Sequence, residues 1–338
     1  MFHAHPLKLL NMAHKLKAII TGVGGQDGSY LSELLLDKGY KVWGVHRHHS
    51  SLNSDLPRLK NVINHENFLL VSVDITDSSA VSHLIKEVQP DEIYNLAAQS
   101  HVKVSFDQPV FTITNDLIGI QNILEAARLH SPSAKIYQAG SSEMYGNESD
   151  EDGYRRETTT FNPVSPYACG KLYAYNLCKV YRDSYNMFTV NGVLFNHESP
   201  RRGVNFVTNK IVDGAIKIKR GEASSLALGN LDAGRDWGHA KDYMQAVWLM
   251  MQNEKADDWV CATGETHTVR DVCEIVFSYL GLSYEKYVVI DPKYYRPTEV
   301  NHLRGDCSKL KNGLGWTPEY TFESMIIEMV EERLKNEI

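Results

Sequence analysis

No stretch of this sequence is apolar for long enough to cross a bilayer, which takes about 18 to 20 such residues. The Leu9-Leu10 pair is too short to be the core of a signal peptide. The expectation is a cytoplasmic protein with no membrane partner. Positive charge is also short: 35 Lys and Arg stand against 42 Asp and Glu, for a formal net charge of -7. Gripping a phosphate backbone takes a basic face, so nucleic acid is not an expected partner. Cysteine is scarce. Cys169, Cys178, Cys261, Cys273 and Cys307 are odd in number and contain no C-x-x-C pair, so neither a disulfide framework nor a cysteine zinc site is expected. All five read as reduced packing residues. The His residues are scattered, and neither His3 and His5 nor the two beside Arg47 have a carboxylate or Cys at ligand spacing. No metal site is expected.

What is present is ordinary globular composition, 43% hydrophobic and 23% charged over 338 residues. At roughly 100 to 200 residues per domain that length suggests two lobes. Residues 1–15 have no clear period and read as an arm. From residue 16 short apolar runs alternate with helical patterns. Strands are expected at 16–21, 41–45, 68–73, 92–96 and 135–139, and helices at 29–38, around 80–88 and 117–129, and from 166 toward 183. Strand then helix, repeated, predicts an α/β protein: a Rossmann-type doubly wound parallel sheet. Beyond about Asn196 the regularity breaks into loops rich in Gly, Arg and Asn. The expected division is a dinucleotide-binding domain over 1–195, which also receives 236–263, and a smaller C-terminal α/β substrate-binding lobe over 196–338. With no repeat and no low-complexity linker, the lobes should share an interface.

The turn after the first strand reads Gly22-Val-Gly-Gly25-Gln-Asp-Gly28. Glycines at this spacing allow a tight turn, close approach of a pyrophosphate, and close packing of helix on strand, with the anion on the helix N-terminus. A bare strand-to-helix connection can also be Gly-rich, but the position between the first strand and first helix points to a dinucleotide. An NAD site normally has an acid at the end of the second strand. Here that place reads Val45-His46-Arg47-His48-His49. A cation there fits a 2′-phosphate, so the expectation is NADP with Arg47 as its clamp; the other reading is a solvated basic loop. Asp74, after the third strand, has two open readings, capping the next helix or facing the adenine amino group.

Tyr167 and Lys171 lie four apart at the start of a predicted helix and so share one face. A phenol is a poor base at neutral pH, but a Lys cation and an oxidised nicotinamide ring both stabilise phenolate. The pair can take a proton from a sugar hydroxyl as hydride leaves the same carbon. Ser141, at the carboxyl end of a strand where open α/β sheets bind ligands, can bond the same hydroxyl. Glu143 beside it offers acid and base chemistry beyond hydride transfer; the plainer alternative is a capping or surface Glu.

In order, these motifs resemble the extended short-chain dehydrogenase/reductase superfamily and, within it, the GDP-mannose 4,6-dehydratases. The resemblance runs from about Leu16 to the C-terminus and rests on TGVGGQDGSYL, LAAQSHV from Leu96, SSEMYG, FNHESPRRG from Phe195, GRDWGHAKDY from Gly234 and RPTEV from Arg296. The dTDP-glucose dehydratases carry an Asp before the Glu, where Ser142 stands here, and the epimerases lack the Glu. The resemblance therefore implies Ser141, Glu143 and Tyr167 as the catalytic set, assisted by Lys171, with Glu143 serving as both acid and base. It implies that a cofactor meets Gly22, Gly25, Gln26, Asp27, Gly28, Arg47, Asp74, Leu96, Ala97, Ala98, Ser100, Lys171, His197 and Arg202. GDP-mannose would meet Asn196, Lys210, Arg235, Arg296 and Glu299.

The implied activity is that of an NADP-dependent lyase, converting GDP-D-mannose to GDP-4-keto-6-deoxy-D-mannose. It proceeds by C4 oxidation, loss of water across C5 and C6, and return of hydride to C6, in a homodimer or homotetramer. The alternatives are an NADPH-dependent reductase of the same 4-keto sugar nucleotide and a non-catalytic NADP-sensing protein. Three positions depart from the family pattern. Gly24 replaces a usual Thr or Ile and should loosen the loop, Phe111 replaces a frequent Tyr, and His46 and His48 flank Arg47 where relatives often have paired Arg.

Overall fold

The computed structural model describes residues 15–47, 56–295, 298 and 300–335. The arm over residues 1–14, His48, His49, Arg296 and Glu299 therefore lie outside the described residues.

Short apolar runs become buried strands. Lys17–Thr21 is β1, followed by α1 (Gln26–Asp37) and β2 (Lys41–His46). Then come β3 (Phe68–Ser72), α2 (Ser78–Val88) and β4 (Glu92–Asn95). Helix α1 starts three residues before the predicted Ser29, entered directly from the glycine turn with Gly25 as N-cap and closed by Gly39 at φ +83°. Helix α2 buries Val81, Ile85 and Val88, one face of a 3.6-residue repeat, and Asp77 caps it by accepting from the Ala80 N–H. Two short helices, α3 (Val102–Asp107) and α4 (Pro109–Ile113), lead through a π-helical turn at Thr114–Ile118 into α5 (Gly119–His130). Strand β5 (Lys135–Ala139), helix α6 (Pro166–Tyr185) and strand β6 (Thr189–Leu194) complete the alternation. Helix α6 begins where the sequence predicts, with Ser165 capping it and Pro166 in its first turn.

After Asn196 the chain is more regular than its composition suggests. It forms β7 (Asn196–Glu198), α7 (Val207–Lys219), β8 (Leu226–Leu228), β9 (Gly234–Arg235), β10 (Trp237–His239) and α8 (Ala240–Gln252). These are followed by β11 (Asp258–Cys261), β12 (His267–Thr268), α9 (Val269–Tyr279), β13 (Val288–Ile290), α10 (Ser308–Leu314) and α11 (Phe322–Lys335). Helix α9 carries its own start signal, a capping box between Thr268 and Asp271.

Seven strands form one parallel sheet in the order β11-β6-β5-β4-β1-β2-β3. This is the doubly wound Rossmann arrangement, and its order reverses between β1 and β4, where a crevice opens beyond the strand ends. One apolar layer sits on each face of the sheet. One of them joins α1 to α8 through Leu31, Leu35, Met244 and Val247 and extends to Leu310 and Trp316. The other packs α2, α5 and α6 through Ile85, Ile123, Ile120 and Cys178. A third core, with Ile211, Val212, Val276, Phe277, Ile326 and Met329, holds α7, α9 and α11 together as a smaller α/β lobe. Residues 240–252, 258–261 and 307–316 thus pack with the sheet although they follow Asn196 in sequence. All five cysteines are free thiols, but Cys169 is exposed on α6, so it is not the packing residue expected. Among the described residues, no helix is long and apolar enough to cross a membrane.

Candidate active site

A cleft of about 850 Å³ opens at the crevice between β1 and β4 and runs toward the smaller lobe. Its floor at one end is the glycine turn. Gly22 sits at φ +69°, and a Cβ there would lie 2.9 Å from the Ala97 backbone; one on Gly28 would lie 2.6 Å from the Gly22 carbonyl. Only hydrogens fit, so the turn presses against β4 and leaves the start of α1 open to the cleft. Thr21 Oγ1 accepts from the backbone N–H groups of Leu96 and Ala97, both at 3.1 Å, which fixes the end of β4 beside the turn. A Cβ on Gly24 would meet only the Cδ2 end of the Leu56 side chain, at 2.8 Å, which a small rotation of that side chain can relieve.

Behind the first turn of α1, His197 Nε2 lies 2.9 Å from Asp27 Oδ2 and His197 Nδ1 lies 2.7 Å from the Phe195 carbonyl. Both ring nitrogens face acceptors, an arrangement that favours the imidazolium. Burial pulls its pKa down, but the Asp27 charge and hydrogen bond outweigh that and raise it. For Asp27 burial raises the pKa, and the charge and bond of His197, with Arg202 and Gln26, bring it below the usual range.

Across the cleft, Ser141 lies two residues beyond the end of β5 and its Oγ accepts from the Glu143 N–H at 3.2 Å, starting a 3-10 turn over Ser142–Tyr145. Glu143 is 7% exposed, which excludes the surface-Glu reading. Tyr167 and Lys171, 8% and 5% exposed, project from α6 into the same space. Lys171 Nζ donates to the Ala139 carbonyl at 2.9 Å and lies 5.8 Å from the centre of the Tyr167 ring. Burial pushes the Tyr167 pKa up; a bond from Ser141 and the charge of Arg202 oppose this, while Asp116 and Glu143 add to it. Burial also lowers the Lys171 pKa, against Asp116 and Asp27.

The pattern described as GDP-mannose 4,6 dehydratase matches residues 19–329. The chain belongs to the GDP-mannose 4,6-dehydratase family. It is 46% identical to the human GDP-mannose 4,6 dehydratase over 93% of this chain and 90% of that one. It is 48% identical to GDP-mannose 4,6 dehydratase 2 of Arabidopsis thaliana, over 94% and 87% of the two chains. Its fold matches a crystal structure of a dTDP-glucose 4,6-dehydratase from Bacillus anthracis with a TM-score of 0.83, at 23% identity over 95% and 97% of the chains. The family resemblance read from the sequence and the Rossmann fold are both borne out.

In this member of the GDP-mannose 4,6-dehydratase family, the cleft gathers Ser141, Glu143, Tyr167 and Lys171. All the positions assigned to a cofactor line it as well, from Gly22 to Arg202, and so do Asn196, Lys210 and Arg235. Arg47 stands over the Phe111 ring at 5.5 Å. Asp74 does not cap α2, a place Asp77 takes; it accepts from the N–H and hydroxyl of Thr76 and borders the cleft. Lys210 donates to the Ala227 carbonyl and lies 3.4 Å over the Tyr294 ring. Arg202 pairs with Glu198 at 3.1 Å.

Sequence reasoning missed Arg58 and Asp116. Arg58 borders the cleft from a segment with no motif to mark it. Asp116, in the π-helical turn, is held near Lys171 because Gly170 lets the two backbones approach: a Cβ there would be 3.1 Å from Asp116 Cβ. Burial pushes the Asp116 pKa up to about 6.

Proposed function

We propose that the chain removes water from GDP-D-mannose to give GDP-4-keto-6-deoxy-D-mannose, using a tightly bound NADP. The observation that carries this reading is a buried Glu143 in one cleft with Ser141, Tyr167 and Lys171. The glycine turn fits a dinucleotide, because Gly22 and Gly28 pack it tightly against the end of β4 and onto itself and put no side chain over the start of α1, where a diphosphate would approach. The phosphates would meet the start of α1, with Arg202 and the His197 imidazolium near. Arg47, at the end of β2, favours the 2′-phosphate form of the cofactor. NADP supplies the removal of hydride from C4 and its return at C6.

The rest falls to this chain. Tyr167 takes the proton of the 4-hydroxyl, with Ser141 bonded to the same oxygen. The new ketone acidifies C5–H; Glu143 removes that proton and protonates the departing 6-hydroxyl. Arg235 and Lys210 hold the GDP moiety, and this remote binding orients the sugar for each step. A reductase would have no use for a carboxylate buried beside the sugar, so Glu143 argues against that alternative. Leu129, Val180 and Tyr185, exposed on α5 and α6, support a homo-oligomer.

The test is incubation with GDP-mannose, against dTDP-glucose and UDP-glucose as controls, followed by assay for a 4-keto sugar. Product from GDP-mannose alone is expected. Its absence, or equal turnover of all three, overturns the reading.

A further inference from the structure

Arg58 borders the cleft, and among the described residues it has no counter-charge. Arg58 sits in a 3-10 turn, Pro57–Leu59, on the connection between β2 and β3. Its Nε donates to the Arg201 carbonyl at 2.7 Å and its Nη1 to the Gly24 carbonyl at 3.3 Å. Both acceptors are neutral, and they fix the guanidinium plane while leaving Nη2 unused. Its charged neighbours have the wrong sign. Arg201 is committed to Glu33 at 2.7 Å and Arg202 to Glu198 at 3.1 Å, and among the described residues no carboxylate pairs with Arg58. Burial, then the charges of Arg201 and Arg202, push its pKa down. A half-buried guanidinium backed by two like charges is a poor arrangement for stability alone and a good one for an anion entering the cleft that it borders.

The position tells which anion. The glycine turn has two sides: Gly22 presses on Ala97 at the end of β4, whereas Gly24 faces Leu56, one residue before the Arg58 turn. Arg58 is therefore on the β2 side, away from β4. In dinucleotide folds the residues after the second strand hold the adenosine ribose, and the diphosphate sits on the helix N-terminus. Arg47 leads into the same connection. We propose that Arg58 is a specificity residue that pairs, with Arg47, with the 2′-phosphate of NADP. The fixed fork of Arg58 supplies a second cation where His46 and the segment after Arg47 offer no second Arg. This inference rests on the reading that the cleft takes NADP.

Calorimetric titration of NADP and NAD into the full chain, wild type and variants, tests it. The wild type should prefer NADP. Arg58→Ala should lose about tenfold or more in NADP affinity, the scale of one charge-assisted hydrogen bond, and about twofold or less for NAD. Arg58→Lys, which keeps the charge without the fork, should fall between, and Arg47→Ala should narrow the preference in the same sense. A wild type without preference overturns the NADP reading itself. A wild type that prefers NADP beside an Arg58→Ala with the same preference, or with equal losses for both cofactors, overturns the role of Arg58 and leaves that reading intact. Should Arg58→Ala fail to fold, as read by circular dichroism, the same ratio measured on Arg58→Lys and Arg58→Gln decides: an unchanged ratio in both overturns the proposal.

Discussion

Replacing Glu143 by Gln removes one charge and almost no volume. The backbone N–H that donates to Ser141 Oγ at 3.2 Å is untouched, so the 3-10 turn over Ser142–Tyr145 should persist. The side chain is buried, and an amide in its place still bonds to neighbours, so folding and binding of both ligands should hold. On the proposed reading, what is lost is the ability to take the C5 proton and to give one to the 6-hydroxyl. General acid or base groups are worth about 10² to 10⁴ in rate. At 1.36 kcal/mol per tenfold this is about 2.7 to 5.4 kcal/mol of barrier, and since one carboxylate serves both transfers the loss should reach the upper part of that range. The assay is 4-keto sugar formation at saturating GDP-mannose, with single-turnover absorbance of reduced nicotinamide beside it. The variant should still show the absorbance change of C4 oxidation while forming no 6-deoxy product, whereas Tyr167→Phe should show neither. Turnover of Glu143→Gln within a few-fold of wild type would refute the assignment of both proton transfers to this residue.

Other changes read other parts of the site. Gly28→Ala places a methyl group 2.6 Å from the Gly22 carbonyl and from Val23 Cα, both backbone, so the turn must move; a loss of about 1 to 3 kcal/mol is expected in chemical unfolding, with weaker cofactor binding. Arg235→Ala should weaken GDP as well as GDP-mannose when each is titrated calorimetrically, and unchanged GDP affinity would remove Arg235 from the diphosphate site. The Asp27 and His197 pair predicts a pH window. The raised pKa of His197 gives stability that is full below its unfolded value, near 6.5, and fades as pH rises through the folded one; the lowered pKa of Asp27 gives stability present above about 3.9 that fades as pH falls. Asp27→Asn should therefore lower the melting temperature most at about pH 5 to 6 and least in alkali, and a pH-independent drop would count against the ion pair.

Where the sequence was legible, a local rule carried the information. The strands from β1 to β5 are apolar runs that end within a residue of their predicted bounds, and the start of α6 is announced by Ser165 and Pro166. The glycine turn could be read because backbone crowding at Gly22 and Gly28 admits no other residue. What was not legible depends on distant segments. Residues 236–263 are expected to join the first domain, and α8 and β11 lie within them. Leu310 and Trp316, however, pack in the same layer as Met244, Val247, Met250 and Met251, although the expected division puts them in the other lobe, with no local pattern to say otherwise. Arg58 has no motif because it owes its place to the carbonyls of Arg201 and Gly24, 143 and 34 residues away.

Two cations are expected to favour the Tyr167 phenolate, Lys171 and an oxidised nicotinamide ring, and the first stands at a distance. Position four on the helix does bring the two side chains to one face, but the ammonium is bound to the Ala139 carbonyl and stands 5.8 Å from the ring centre. Burial outweighs everything else on the phenol, and the nearby carboxylates of Asp116 and Glu143 work in the same direction. The protein by itself therefore holds Tyr167 protonated. On the proposed reading the missing positive charge is that of the oxidised nicotinamide ring, so the phenol becomes a base only while the cofactor can still accept hydride. Asp116 fits this balance. Its charge opposes phenolate directly, yet it also holds Lys171 charged against the burial that would neutralise it. A site built this way ties removal of the 4-hydroxyl proton to the oxidised cofactor, and it leaves Glu143 with nothing to act on until the ketone has formed.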